Sequence, residues 1–223
     1  MPKGLTAATG MDALTHAIEG YITKGAWELT DMMHLKAIEI IARSLRAAVE
    51  NDPKGREDMA LGQYVAGMGF SNVGLGIVHS MAHPLGAFYD TPHGVANALI
   101  LTEVMRYNAD DVPTKMGTFS QYQYPHALER YAELGRFAGC AGSTDEEVFE
   151  KFLAKLEVLK EKIGIKKTIR EYGIDERYFL DTLDEMVEQA FNDQCTGANP
   201  RYPLMSEIKQ MYLNAYYGVD ETV

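Results

Sequence analysis

Asp31-Met-Met-His-Leu-Lys-Ala-Ile-Glu-Ile-Ile-Ala-Arg-Ser-Leu-Arg-Ala-Ala-Val-Glu50 decides the fold class. Leu35, Ile38, Ile41, Ala42, Leu45 and Val49 recur at three- and four-residue steps, the period of one apolar helix face. Thr30 or Asp31 can cap the start, and Asn51-Asp52-Pro53 forms a turn that ends it. The same period returns further along the chain. After Thr144, whose pairing with Glu147 forms a capping box, the apolar face is Phe149, Phe152, Leu153, Leu156, Leu159 and Ile163. From about Asp175 to Phe191 it is Phe179, Leu183, Met186, Val187 and Ala190. A last helix, opened by Ser206 and stopped at Gly218, uses Ile208, Met211, Tyr212 and Ala215.

Weaker helical stretches fall at 6–23, 56–72, 74–88, 94–107 and 126–137, and no alternating strand pattern or βαβ rhythm interrupts them. Residues 108–125 are rich in Pro, Gly and polar groups and read as a long irregular loop. The expectation is an all-α helical bundle occupying residues 1–223 as one domain.

Composition narrows the partners. A net charge of −11 disfavours nucleic acid, which needs a basic face, and disfavours an anionic membrane surface. No apolar run approaches the ~20 residues that span a bilayer, and the N-terminus lacks the apolar core of a signal peptide. Two cysteines, Cys140 and Cys195, share no metal-like spacing, so a reducing cytoplasm is expected.

Three of the six histidines crowd into Gly74-Leu-Gly-Ile-Val-His79-Ser-Met-Ala-His83-Pro-Leu-Gly-Ala-Phe-Tyr-Asp-Thr-Pro-His93-Gly94. Upstream, Asp12 and His16 stand four residues apart, as His79 and His83 do. On a helix that step places both side chains on one face, one turn apart. Read singly, Asp12/His16 is a surface polar pair, and His79 or His93 a hydrogen-bonded core group. Together they lie among small residues (Gly67, Gly69, Gly74, Gly76, Gly86, Gly94) that permit close backbone approach. An Asp and His set without thiolates suits Fe(II) or Zn(II) and disfavours Mg or Ca. Gly67-Met-Gly69 and Gly74-Leu-Gly76 echo a dinucleotide fingerprint, but no strand precedes them, so they read as helix-packing and bend glycines. His34 and His126 have no partner pattern and are expected to face solvent.

At these residues the chain resembles the iron-containing (group III) alcohol dehydrogenase family. Pro2 to Glu19 looks like part of that family's first signature, and Gly74 to Gly94 like its second. Residues 1–100 are most similar to the lactaldehyde reductase branch. Later residues, through Tyr107-Asn-Ala-Asp and Asp193-Gln-Cys-Thr-Gly-Ala-Asn-Pro-Arg201, resemble the alcohol dehydrogenase module of bifunctional members.

The resemblance implies the helical, dehydroquinate synthase-like C-terminal domain of that family. It also implies Asp12, His16, His79 and His93 as ligands to Fe2+, with Zn2+ as the alternative. His83 would lie beside the nicotinamide and substrate, as catalytic and cofactor-contacting residue, relaying the hydroxyl proton to solvent. Phe70, Leu75 and Cys195 would line the pocket for a small alcohol or aldehyde; read without the resemblance they are core groups and an inert thiol. NAD or NADP would bind through an N-terminal α/β nucleotide-binding domain, expected to be missing here, and the full-length enzyme would be a homo-oligomer. Two rivals remain. One is a helical metal-dependent phosphohydrolase, disfavoured because no histidine is followed by Asp. The other is an inactive structural or interaction fragment.

Overall fold

The computed structural model describes residues 1–110 and 127–218, and among these the secondary structure is helical throughout, with no strand. Helix α1 (Lys3–Ile22) is the central element, with most of its residues buried. It packs against the antiparallel pair α2 (Glu28–Val49) and α3 (Pro53–Val73), and against α5 (His93–Ala109) and α6 (Ala127–Phe137). Helix α4 (Ile77–Tyr89) joins α5 through the three residues Asp90-Thr91-Pro92, and Asp90 takes a left-handed φ of 54° to make that turn. The other flank consists of α7 (Asp145–Lys162), the short α8 (Ile169–Tyr172), α9 (Glu176–Asn192) and α10 (Met205–Tyr217). One apolar core runs from Ile18, Ile41 and Leu45 through Met81 and Leu99 to Phe179 and Tyr212.

Five of the six α2 stripe residues pack as the period requires, with Ile38, Ile41, Leu45 and Val49 buried and Leu35 half-buried, but Ala42, expected on the same face, is exposed. The start differs from expectation. Neither Thr30 nor Asp31 is the N-cap: the helix begins at Glu28, and the Trp27 N–H donates to Thr30 Oγ1 at 3.1 Å. A hydroxyl inside the first turn does the work of a cap residue. Asn51-Asp52-Pro53 ends α2, and Asp52 also caps α3, accepting from the Gly55 N–H at 2.6 Å. Thr144 caps α7 by accepting from the Glu147 N–H, and Glu147 returns to the Ser143 N–H at 2.8 Å. Ser206 does not open α10: Leu204 is its N-cap, and the Glu207 carboxylate meets the Leu204 N–H at 2.7 Å. Gly218 ends that helix at φ 94°. Helix α5 runs on to Ala109, and the rest of the expected loop, with His126, lies outside the described residues. No described helix is long and apolar enough to cross a membrane.

His34 corrects another expectation. It is fully buried, not solvent-facing, and its imidazole is held in a slot between Gly20 of α1 and Gly69 of α3. A Cβ at either glycine would strike the ring, so these two positions set the separation of α1 from α3. A sequence of apolar neighbours spaced for a helix hides this, because the slot comes from glycines 14 residues before and 35 after His34.

Burial pushes the His34 pKa down from 6.5 to about 4, with Asp31 partly opposing the shift and Arg130 adding to it. The folded chain therefore refuses a proton that the unfolded chain accepts between those values. Stability from the neutral ring is present above pH 6.5 and is lost as pH falls toward 4. The loss should reach about 3 kcal/mol at most. Urea unfolding of the wild type and His34→Leu at pH 7 and pH 4.5 measures it: the variant should show the smaller pH dependence.

Candidate metal centre

Helix α1 carries Asp12 and His16 one turn apart, α4 carries His79, and His93 is the first residue of α5. One donor atom from each of these four residues lies within 4.8 Å of all the others. From Asp12 Oδ1 the distances are 3.9 Å to His16 Nε2, 3.7 Å to His79 Nε2 and 3.5 Å to His93 Nε2. Four donors bonded to one ion at about 2.1 Å stand roughly 3.4 Å apart in a tetrahedral shell. The observed spacing is close to that.

Close helix approach makes the convergence possible. Gly94, next to His93, sits directly on the Ala8 carbonyl of α1, and a Cβ there would drive into that backbone oxygen and come 3.1 Å from Asp12 Cβ. The three-residue α4–α5 turn brings His93 back over His79, with ring centroids 5.2 Å apart. His16 and His79 are stacked at 4.6 Å.

The donor chemistry also fits a cation. The Asn97 amide nitrogen lies 2.7 Å from Asp12 Oδ1, 3.2 Å from His79 Nε2 and 3.3 Å from His93 Nε2. One carboxylate oxygen and two ring nitrogens thus crowd one amide group, while the buried Asn97 Oδ1 has no hydrogen-bond partner among the described residues. Such a surplus of lone pairs suits a positive charge.

Burial drives His16 down to about pKa 4 despite Asp12, so its ring is neutral with a lone pair available. Burial likewise lowers His93. Asp12 is raised by its burial, but the three imidazoles around it outweigh that and hold it below the ordinary carboxylate value. Burial lowers His79 as well, but hydrogen bonds and charge from Asp12 and Glu19 win and carry it up to about 9. A cation at Nε2 competes with that proton.

His83 lies one turn after His79, outside the four-residue cluster. Its ring stacks on His93 at 5.4 Å, and its Nδ1 is 2.7 Å from Asp193 Oδ2. Phe70 stacks on His16 at 4.4 Å. Cys195 is half-buried, its N–H donates to Asp193 Oδ1 at 2.8 Å, and burial pushes its thiol up to about 12. Leu75 is half-buried in the bend leading into α4. A cleft of about 510 Å³ opens on the α1–α3 side of the cluster and is lined by Thr9, Asp12, Ala13, His16, Met59 and Ala60. Gly69 packs on the His34 ring inside α3 and Gly74 and Gly76 flank the bend before α4, as packing and bend glycines should, whereas Gly67, also inside α3, has open space beside it and is not a packing glycine.

Residues 6–216 match the Fe-containing alcohol dehydrogenase family, C-terminal. The chain belongs to the iron-containing alcohol dehydrogenase family. This family membership removes the phosphohydrolase alternative. Over 218 residues the chain is 49% identical to lactaldehyde reductase of Escherichia coli (strain K12), covering 97% of this chain and 52% of that protein. Over 225 residues it is 48% identical to the bifunctional aldehyde-alcohol dehydrogenase of the same organism, covering 99% of this chain and 25% of that one. Among solved structures, the alcohol dehydrogenase from Oenococcus oeni superposes with a TM-score of 0.84 at 36% identity, over 97% of this chain and 52% of that chain. The iron-containing alcohol dehydrogenase from Thermococcus thioreducens gives 0.83 at 32% identity, over 98% and 52% respectively. The chain spans about half the length of its single-function relative and a quarter of the bifunctional one.

Three residues of the site have no role in the sequence reading: Glu19, Asn97 and Asp193. Glu19, three residues after His16, carried the nearest local signal. Asp193 opened a motif shared with the family, but nothing in the sequence marked its pairing with His83, 110 residues away.

Gly94→Ala should part α5 from α1 and cost about 1–3 kcal/mol, the usual cost of overpacking. Thermal unfolding and divalent-metal titration check it: both Tm and metal affinity should fall together.

Proposed function

We propose that this chain supplies the metal centre of an Fe(II)-dependent, NAD(P)-linked alcohol dehydrogenase or aldehyde reductase acting on short-chain substrates. The observation that carries the reading is the convergence of Asp12, His16, His79 and His93 from three helices onto one point. Fe(II) and Zn(II) both suit one carboxylate and three imidazoles, and iron is favoured by the family. A divalent ion held there supplies Lewis acidity toward an alcohol or carbonyl oxygen, and a nicotinamide cofactor supplies the hydride acceptor or donor.

The chain's own residues do the rest. Asp12 contributes the anionic ligand, and the neutral rings of His16 and His93 contribute lone pairs without charge repulsion. Phe70, laid on His16, shields that ring from water. His83 is anchored through Nδ1 by Asp193, which leaves Nε2 to take the hydroxyl proton and pass it to solvent, since the side chain is 43% exposed. The Cys195 thiol stays protonated beside Asp193 and serves with Phe70 and Leu75 as pocket lining. We assign nucleotide binding to the portion of the relatives that this chain does not match, with a homo-oligomer and a cytoplasmic setting for the full-length enzyme.

A second reading, a fragment without turnover, is favoured by one fact: the chain matches only about half of lactaldehyde reductase. The two readings share the metal site. Residues 1–223 alone should bind Fe(II) or Zn(II), and Asp12→Asn should weaken binding by more than the about 10–100-fold that outer-shell changes cost. Metal titration with elemental analysis reads this, and unchanged affinity would remove the site. Mixed with NADH, Fe(II) and a short aldehyde, the chain alone should oxidise NADH slowly or not at all. Brisk oxidation would contradict the assignment of nucleotide binding to the unmatched portion.

A further inference from the structure

Glu19 is 1% exposed, and a buried carboxylate persists only where its lone pairs are met. Here the donors come from one short segment. Oε1 accepts the Val78 N–H at 2.8 Å, and Oε2 lies 2.6 Å from His79 Nδ1 and 3.4 Å from the His79 N–H. Val78 and His79 are the second and third residues of α4, whose N-cap Gly76 has no side chain to satisfy them. The carboxylate therefore does a cap's work from α1, where free amides and the helix dipole favour an anion. Gly76 makes room for it: a Cβ there would lie 2.7 Å from Glu19 Oε1 and 2.6 Å from Asn199 Oδ1.

One side chain thus fixes the start of α4 and the ring of its third residue. Because Oε2 takes the Nδ1–H, the tautomer of a neutral His79 is set, and Nε2, 3.7 Å from Asp12 Oδ1, is the nitrogen left for a cation. We propose that Glu19 is the positioning residue of the metal centre, holding His79 in its ligating tautomer and orientation. This rests on the metal-site reading above. Glu19 touches neither substrate nor cofactor and acts only through His79.

Glutamine at position 19 keeps the shape but can turn an amide donor toward Nδ1. His79 then accepts at Nδ1, and its proton moves to Nε2, where the ligand lone pair belongs. Co(II) alone, titrated into the full chain at fixed pH and followed by its visible d–d absorption, reads both affinity and ligand geometry. Glu19→Gln should bind Co(II) about 10–100-fold more weakly than wild type, with an altered d–d spectrum and unchanged far-UV circular dichroism. Gly76→Ala, which keeps the charge but displaces the carboxylate, should move both readouts in the same direction. A folded Glu19→Gln with wild-type affinity and spectrum would overturn the inference. If that variant does not fold, wild-type Co(II) binding by Gly76→Ala would overturn it equally. Failure of the unsubstituted chain to bind Co(II) would instead overturn the metal reading itself.

Discussion

A single carboxylate, Asp12, faces three imidazoles at a site that runs from the buried His79 to the exposed edge of His93, and the surrounding helices are arranged to make that crowding tolerable. Bringing acceptors together from α1, α4 and α5 costs desolvation, and in the absence of a cation the groups repel protons or share them. The pKa directions record the conflict: burial depresses His16 and His93, whereas the carboxylates raise His79. A positive charge in the middle would resolve it, which is why this packing problem reads as a candidate metal site.

Two constraints keep the donors in place. Sterically, Gly94 lets α5 rest on the α1 backbone, and the short Asp90-Thr91-Pro92 turn returns the chain from His79 to His93. Electrostatically, two of the histidines are gripped at Nδ1 by a distant carboxylate: Glu19 holds His79 and Asp193 holds His83. The two grips differ in exposure. The His79 pair is 2% exposed on both sides, suited to a fixed ligand, while His83 is 43% exposed, suited to moving a proton.

Local order was legible in the sequence where it depends on spacing. The α2, α7 and α9 stripes pack as their periods demand, and the four-residue step between Asp12 and His16 places both at the cluster. Long-range geometry was not legible. His34 carries no mark of burial, because its slot is made by Gly20 and Gly69 on other helices. The caps at Trp27 and Leu204 escaped notice because Thr30 and Glu207 work backward from inside the helix. Asp193 meets His83 only through the packing of α9 on α4. Resemblance to the family supplied what spacing left open, above all which of the five candidate side chains form the ligand set.

X-ray absorption at the metal edge of the iron- or zinc-loaded chain tests the central claim most directly. The account predicts a first shell of three imidazole nitrogens and at least one oxygen at about 2.0–2.2 Å, with outer-ring scattering from the histidines. A shell built only of oxygen, or one containing sulfur from Cys195 or Cys140, would contradict it.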